Sequence, residues 1–238
     1  MNPGSTMSLE FSLVYSYSMG KLNLHIANAN KKFTKSEVAD IESAAISAEK
    51  FINNNFDFDF DVDLIVTTPS FLLSTIAEDG ISGRTYSSQL IILVIDKEQK
   101  KISESFVFET ICHEMSHSLR WEKLPEYSRT LFDGVILEGL AVVLEEKAME
   151  THEDDEKQFF IKEVQGTSKS MIDSIISYLG DSMQSEQFDY DTIFYNGNDT
   201  IPRWAGYRLG YYFVKKHLKE SGSTIFEATL DSYSKFRP

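Results

Sequence analysis

His113-Glu114-Met115-Ser116-His117 is the stretch on which the reading of this chain turns. Two histidines four residues apart project from one side of an α-helix. Their ring nitrogens can then meet a single Zn²⁺ at about 2.0–2.1 Å each. Glu114 stands about 100° round the helix, away from the ligand position and within reach of a water beside the ion. A zinc peptidase needs that division of labour, with histidine ligands and a carboxylate that takes the water's proton. The bland reading is a pair of core histidines with ordinary hydrogen bonds, since a short pattern can arise by chance in a chain with five histidines.

The neighbouring residues support a helix over 103–120. Ser103 or Ser105 can cap it, Glu104 suits its first turn and Arg120 its last. Phe108, Ile111, Cys112, Met115 and Leu119 form an apolar stripe beside the histidine face. A catalytic zinc usually has three protein ligands, so one is still missing. Residues 127–149 predict a second helix, with Val135, Glu138, Val142 and Glu145 on one face. Glu138 lies inside the apolar run GVILEGLAVVL. A lone buried carboxylate there needs a partner, either a metal ion or an arginine such as Arg120 or Arg129. Glu138 is the candidate third ligand, and Gly139 after it permits close helix approach. Glu145 could accept the spare N–H of a ligand histidine and fix its tautomer. His25, His152 and His217 sit in segments that read as surface.

The C-terminal part predicts a helix over about 203–220, opened by Ile201-Pro202-Arg203. It carries Gly206-Tyr207 and Gly210-Tyr211, a doubled pair at helical spacing. The glycines suit close packing against another helix, and the tyrosines could simply pack. A tyrosine hydroxyl near a metal could instead hold the oxyanion of a tetrahedral intermediate, with Tyr207 slightly ahead of Tyr211.

Upstream, FSLVYSY (11–17) and KLNLHIA (21–27) read as strands and residues 36–54 as a helix. FDFDFDVDLIVTT (56–68) alternates strictly and reads as a strand with a solvated row of aspartates. A calcium loop there lacks the expected glycine and glutamate. Residues 69–83 read as a loop or short helix followed by turns, and SSQLIILVID (87–96) as a buried strand. Downstream, 160–180 is a helix broken near Gly166, 181–201 is turn-rich, and 223–235 closes the chain with a helix.

Composition narrows the partners. The chain has 238 residues and a net charge of −14, which argues against nucleic acid or an anionic membrane. Cys112 is the single cysteine, so no internal disulfide can form, as expected in a reducing compartment. It reads as a small buried hydrophobe. Residues 1–10 lack the basic and apolar regions of a signal peptide, and the longest apolar run, 90–95, is too short to span a bilayer. These features predict a soluble, cytoplasmic protein acting on peptides or proteins.

HEMSHSLR (113–120), LFDGVILEGLA (131–141) and IPRWAGYRLGYYFV (201–214), in that order, resemble a mainly bacterial family of predicted zinc-dependent proteases within the gluzincin group. ISGRTYSSQLIILVID (81–96) resembles the family's strand before the zinc helix. The likeness covers about residues 60–220. It implies an α+β zincin-like (gluzincin) fold, a small sheet followed by a mainly helical C-terminal part, with His113, Glu114, His117 and Glu138 as the site. In zincin folds the strand before the zinc helix lies over the site and pairs with an extended substrate, a role that falls here on residues 87–96. The metzincin alternative fails because Lys123 occupies the place of its third histidine.

The expectation is therefore one domain over 1–238, with an α/β part (1–102) and a helical part (103–238). Zn²⁺ is held by His113, His117 and Glu138, and Glu114 acts as general base. Tyr207 or Tyr211, and Arg203, polarise the scissile carbonyl. The main rival is a zinc-binding interaction domain that does not cleave, against which the retained Glu114 argues.

Overall fold

The alternation of residues 56–68 becomes a strand only at Val62–Thr67 (β2), where Val62, Leu64 and Val66 turn into the core. Phe56 and Phe58 before it are buried without joining the sheet. The computed structural model of the chain describes residues 19–124, 128–151 and 156–237. The strand expected at 11–17, Tyr127 and His152 lie outside these residues.

β2 pairs in parallel with Leu22–Ile26 (β1) on one side and with Leu90–Ile95 (β4) on the other. Ile81–Ser87 (β3) runs antiparallel to β4 and closes the order β1-β2-β4-β3. The strand expected to lie over the site, at 87–96, is therefore an interior strand. β4 has β2 and β3 on its two edges, and its backbone groups are already committed. The edge strand beside it is β3, whose first residues, 81–83, were read from sequence as turns.

Two helices cover one face of the sheet. Lys35–Asn55 (α1) starts at a capping box in which Thr34 accepts from the Glu37 backbone and Glu37 bonds back. Ile41, Ala44, Ala45, Ala48 and Ile52 form its buried stripe. Glu104–Lys123 (α2) carries the histidines, and every residue from Ser105 to Arg120 is buried. The Ser118 hydroxyl donates to the Ser88 carbonyl and ties α2 to the β3–β4 turn.

Leu131–Met149 (α3) packs on α2 and opens with a second capping box, Thr130 with Asp133. Phe159–Gln165 (α4) and Lys169–Leu179 (α5) flank Gly166, where a break was expected; the Ser168 side chain caps α5. The turn-rich stretch contains a π-helical turn, Asp191–Asn196, that buries Ile193 and Phe194. Ala205–Ser221 (α6) begins after Trp204, which holds a left-handed backbone at φ 63°. The closing helix is short, Ile225–Thr229 (α7), followed by a 3-10 turn.

α3 and α6 cross closely, at two glycines. A Cβ on Gly139 would sit 2.3 Å from the Gly210 backbone, and one on Gly210 would sit 2.1 Å from the Val135 carbonyl. Gly139 thus admits α6 and not the histidine helix, while Gly206 admits the Phe194 ring. Overall the protein is α+β, a small four-stranded sheet followed by a mainly helical remainder. No described helix is long and apolar enough to cross a membrane.

Candidate metal centre

α2 presents the His113 and His117 rings side by side, with centroids 5.1 Å apart. α3 brings Glu138 against them. Its Oε2 lies 3.5 Å from His113 Nε2 and 3.3 Å from His117 Nε2. Ligand atoms on a tetrahedron with zinc bonds of about 2.0–2.1 Å stand about 3.3–3.4 Å apart. Glu138 Oε2 is buried and has no hydrogen-bond partner, although buried carboxylate oxygens normally do. Ligand spacing, donor types and the orphaned oxygen all fit a zinc ion, and His113, His117 and Glu138 are positioned to bind one. Neither Arg120 nor Arg129 pairs with Glu138 among the described residues. Arg120 donates instead to the Thr229 and Asp231 carbonyls at 2.6 and 2.9 Å.

The other Glu138 oxygen has its own partner. The Tyr190 hydroxyl, just before the π-helical turn, donates to Oε1 at 3.3 Å, and its ring stacks on Phe194 at 4.5 Å. Glu145, two turns along the same face from Glu138, lies 2.9 Å from His113 Nδ1. Gln158 holds the far Glu145 oxygen at 3.2 Å. His117 Nδ1 is buried with no such partner.

Charge follows this geometry. Burial pushes the Glu138 carboxyl up, but the facing His117 and His113 imidazoles outweigh it and hold the group well below the usual carboxylate range. Burial opposes charge on His113, yet the facing Glu138 and Glu145 carboxylates raise it well above an ordinary histidine. Burial leaves Glu145 raised despite His113. The Tyr207 hydroxyl is pushed up, by burial first and by Glu138 next. Cys112 is fully buried and burial raises its thiol, which keeps it inert.

Glu114 points from α2 to β3. The Thr85 hydroxyl donates to its Oε2 at 2.7 Å and to its backbone carbonyl at 3.0 Å. Gly83 is glycine for a local reason, since a Cβ there would sit 2.5 Å from Glu114 Cγ. A cavity of about 540 Å³ opens beside His113 and Glu114, walled by Leu73, Gly83, Arg84, Tyr195 and Tyr207 among others.

Tyr207 faces this cavity. Its ring lies 6.4 Å from that of His113 and edge-on to Phe160 at 5.0 Å, and its hydroxyl bonds to no described residue. Tyr211 does not reach the cavity wall. It sits one turn, about 6 Å, further along α6, and its hydroxyl donates to Glu146 at 2.8 Å. Of the two tyrosines, Tyr207 is the one that lines the cavity. Arg203 borders the cavity, but its guanidinium is engaged with Glu78 at 2.7 Å and stacks over Trp204.

His25 is exposed and bonds Asp63 at 3.0 Å. His217, read as surface, is half-buried against Phe236, because the last turn folds back over α6. Gly83, Thr85, Gln158 and Tyr190 were not anticipated. Gly83 left a trace, a glycine within a β-branched and aromatic run, which marks close backbone approach. Tyr190 and Gln158 left none.

Comparison with curated proteins and with solved structures gave no match. A family model described as "Predicted Zn-dependent protease (DUF2268)" matches residues 41–237, beginning within α1, well ahead of the first resembling motif. With that match and a buried His-His-Glu group suited to a metal ion, the chain belongs to the family of predicted Zn-dependent proteases DUF2268.

Proposed function

We propose that the chain is a zinc-dependent peptidase of the gluzincin type, built as a single zincin-like domain, with His113, His117 and Glu138 as ligands. The observation that carries this reading is the buried Glu138 oxygen at zinc-ligand spacing from both histidine nitrogens, beside a second acid, Glu114, that is outside the set. Zinc, when bound, would polarise a peptide carbonyl and make an adjacent water more acidic.

Glu114 is the general base. Thr85 occupies its Oε2, which leaves Oε1 to take the water's proton and return it to the departing amine. Glu145 orients His113, and Tyr190 orients Glu138. Tyr207, with an unengaged hydroxyl, donates to the developing oxyanion. The substrate template is β3. The Gly80 carbonyl accepts from Asp96 on the β4 side, and the next carbonyl, of Ile81, accepts from Ile76 on the outer edge. Alternation then turns the backbone groups of Gly83 and Thr85 outward, beside Glu114, where a peptide can add as an antiparallel strand.

The test is metal content together with peptide-library cleavage. The parent protein is expected to hold about one zinc per chain, as one His-His-Glu set allows. Glu114→Gln should keep the zinc and lose turnover. Cleavage by Glu114→Gln at the parent rate would remove Glu114 as base. Protein that takes up no zinc after loading and desalting would sink the whole reading. Zinc retained with no cleavage by the parent protein would favour a binding module.

A further inference from the structure

The cavity wall carries a cation that the peptidase reading leaves unused. Arg84 sits on β3 between Gly83 and Thr85, the two residues whose backbone faces the open edge. It borders the cavity, and its side chain is exposed there. Its Nη2 donates to the Tyr195 hydroxyl at 3.2 Å, a neutral partner. Among the described residues no carboxylate lies within ion-pair distance of it. The other arginine on the wall, Arg203, is already paired with Glu78.

We propose that Arg84 forms a carboxylate subsite, so that the preferred substrate is a peptide with an acidic group within one or two residues of the scissile bond. This inference rests on the peptidase reading and adds to it the class of substrate. The placement follows from strand geometry. Side chains of directly opposed residues on antiparallel strands lie on one face, with Cβ atoms about 4.5–5.5 Å apart. A peptide laid along Gly83–Thr85 therefore has one residue opposite Arg84, and its side chain shares the guanidinium's face. The neighbouring peptide residues sit opposite Gly83 and Thr85, against Glu114 and the metal. A planar guanidinium suits a carboxylate, which it can grip with two parallel N–H bonds. Tyr195 fixes one nitrogen of the fork and Tyr86 lies beside it, both neutral partners that leave the cation without a counter-charge.

The experiment reads binding and cleavage separately. Zinc-loaded Glu114→Gln protein is titrated with matched peptides that carry Glu, Gln or Lys at each position, with amidated ends. A second arm compares free-acid and amidated C-termini. The parent protein is then assayed for kcat/KM on the same peptides. At one position near the scissile bond, Glu should bind roughly tenfold tighter than Gln, as expected for a charge-assisted pair, with the margin shrinking in salt. Arg84→Gln should bring that ratio close to one, and Arg84→Glu should turn the preference toward Lys. Both variants should keep full zinc content and an unchanged melting temperature, because Arg84 holds no structural ion pair.

An Arg84-dependent preference for an internal Glu identifies a side-chain subsite. The same dependence confined to free C-termini identifies a terminal-carboxylate subsite, and either outcome supports the proposal. Equal affinity for Glu and Gln peptides, or a preference unmoved by Arg84→Glu, overturns the subsite and leaves the peptidase reading standing. Absence of both binding and cleavage for every peptide overturns the peptidase reading, and this inference with it.

Discussion

Glu138 divides its two oxygens, one toward the histidines and one toward Tyr190. Glu138→Ala should abolish tight zinc binding, and Glu138→Gln should weaken it sharply, as measured by competition with a chromogenic chelator. Unchanged affinity with a lower melting temperature would make Glu138 a structural acid only. Tyr190→Phe removes a single hydrogen bond to a ligand, and changes of that kind typically lower metal affinity about 10–100-fold. Tyr207→Phe should instead leave zinc in place and lower kcat by roughly 10²-fold with little change in KM. If kcat holds, Tyr207 is a packing residue. His113, Glu114, His117 and Glu138 were legible because helical period alone brings the pair together and an acid in an apolar helix demands a partner. Tyr190 and Thr85 were not, because their positions depend on how non-helical chain returns to the site.

The α3–α6 crossing shows how much two missing side chains can decide. Gly139→Ala or Gly210→Ala would drive a methyl into backbone that cannot rotate away. Overpacking of this kind commonly costs about 1–3 kcal/mol, and backbone contact puts these variants at the upper end. For a chain of this size that lowers Tm by roughly 5–10 °C, readable by calorimetry. Gly83→Ala should behave differently, keeping zinc and stability but losing turnover, since its methyl displaces the Glu114 carboxylate. The glycine pair was legible in α6, but its partner was not, because spacing reports a face and not what covers it. β3 was hidden for a related reason. An edge strand buries little, so Ser82, Gly83 and Arg84 show no apolar alternation, and the stronger run at 90–95 drew the substrate role that we propose for its neighbour.

Across the whole chain, the histidines and Glu138 belong to two successive helices, so a bound ion would link α2 to α3. Chelation should therefore lower the melting temperature of the parent protein, by an amount that grows with metal affinity. His113→Ala, which cannot hold the ion, should melt at the same temperature with and without chelator. A parent protein indifferent to chelation would separate metal binding from the fold. The net charge of −14 reveals nothing of this site, whose wall also carries the exposed Arg84.

The bond from Ile76 to Ile81 carries one more consequence. It spends the outer edge of β3 at its first residue, while beyond Ser87 that edge runs out into a tight turn. Pairing along β3 is therefore lopsided, with a wall of the protein's own backbone on one side and open water on the other. Peptides lengthened residue by residue from the scissile bond should gain kcat/KM in one direction and reach a plateau almost at once in the other. The cleft would measure its substrate from one end only.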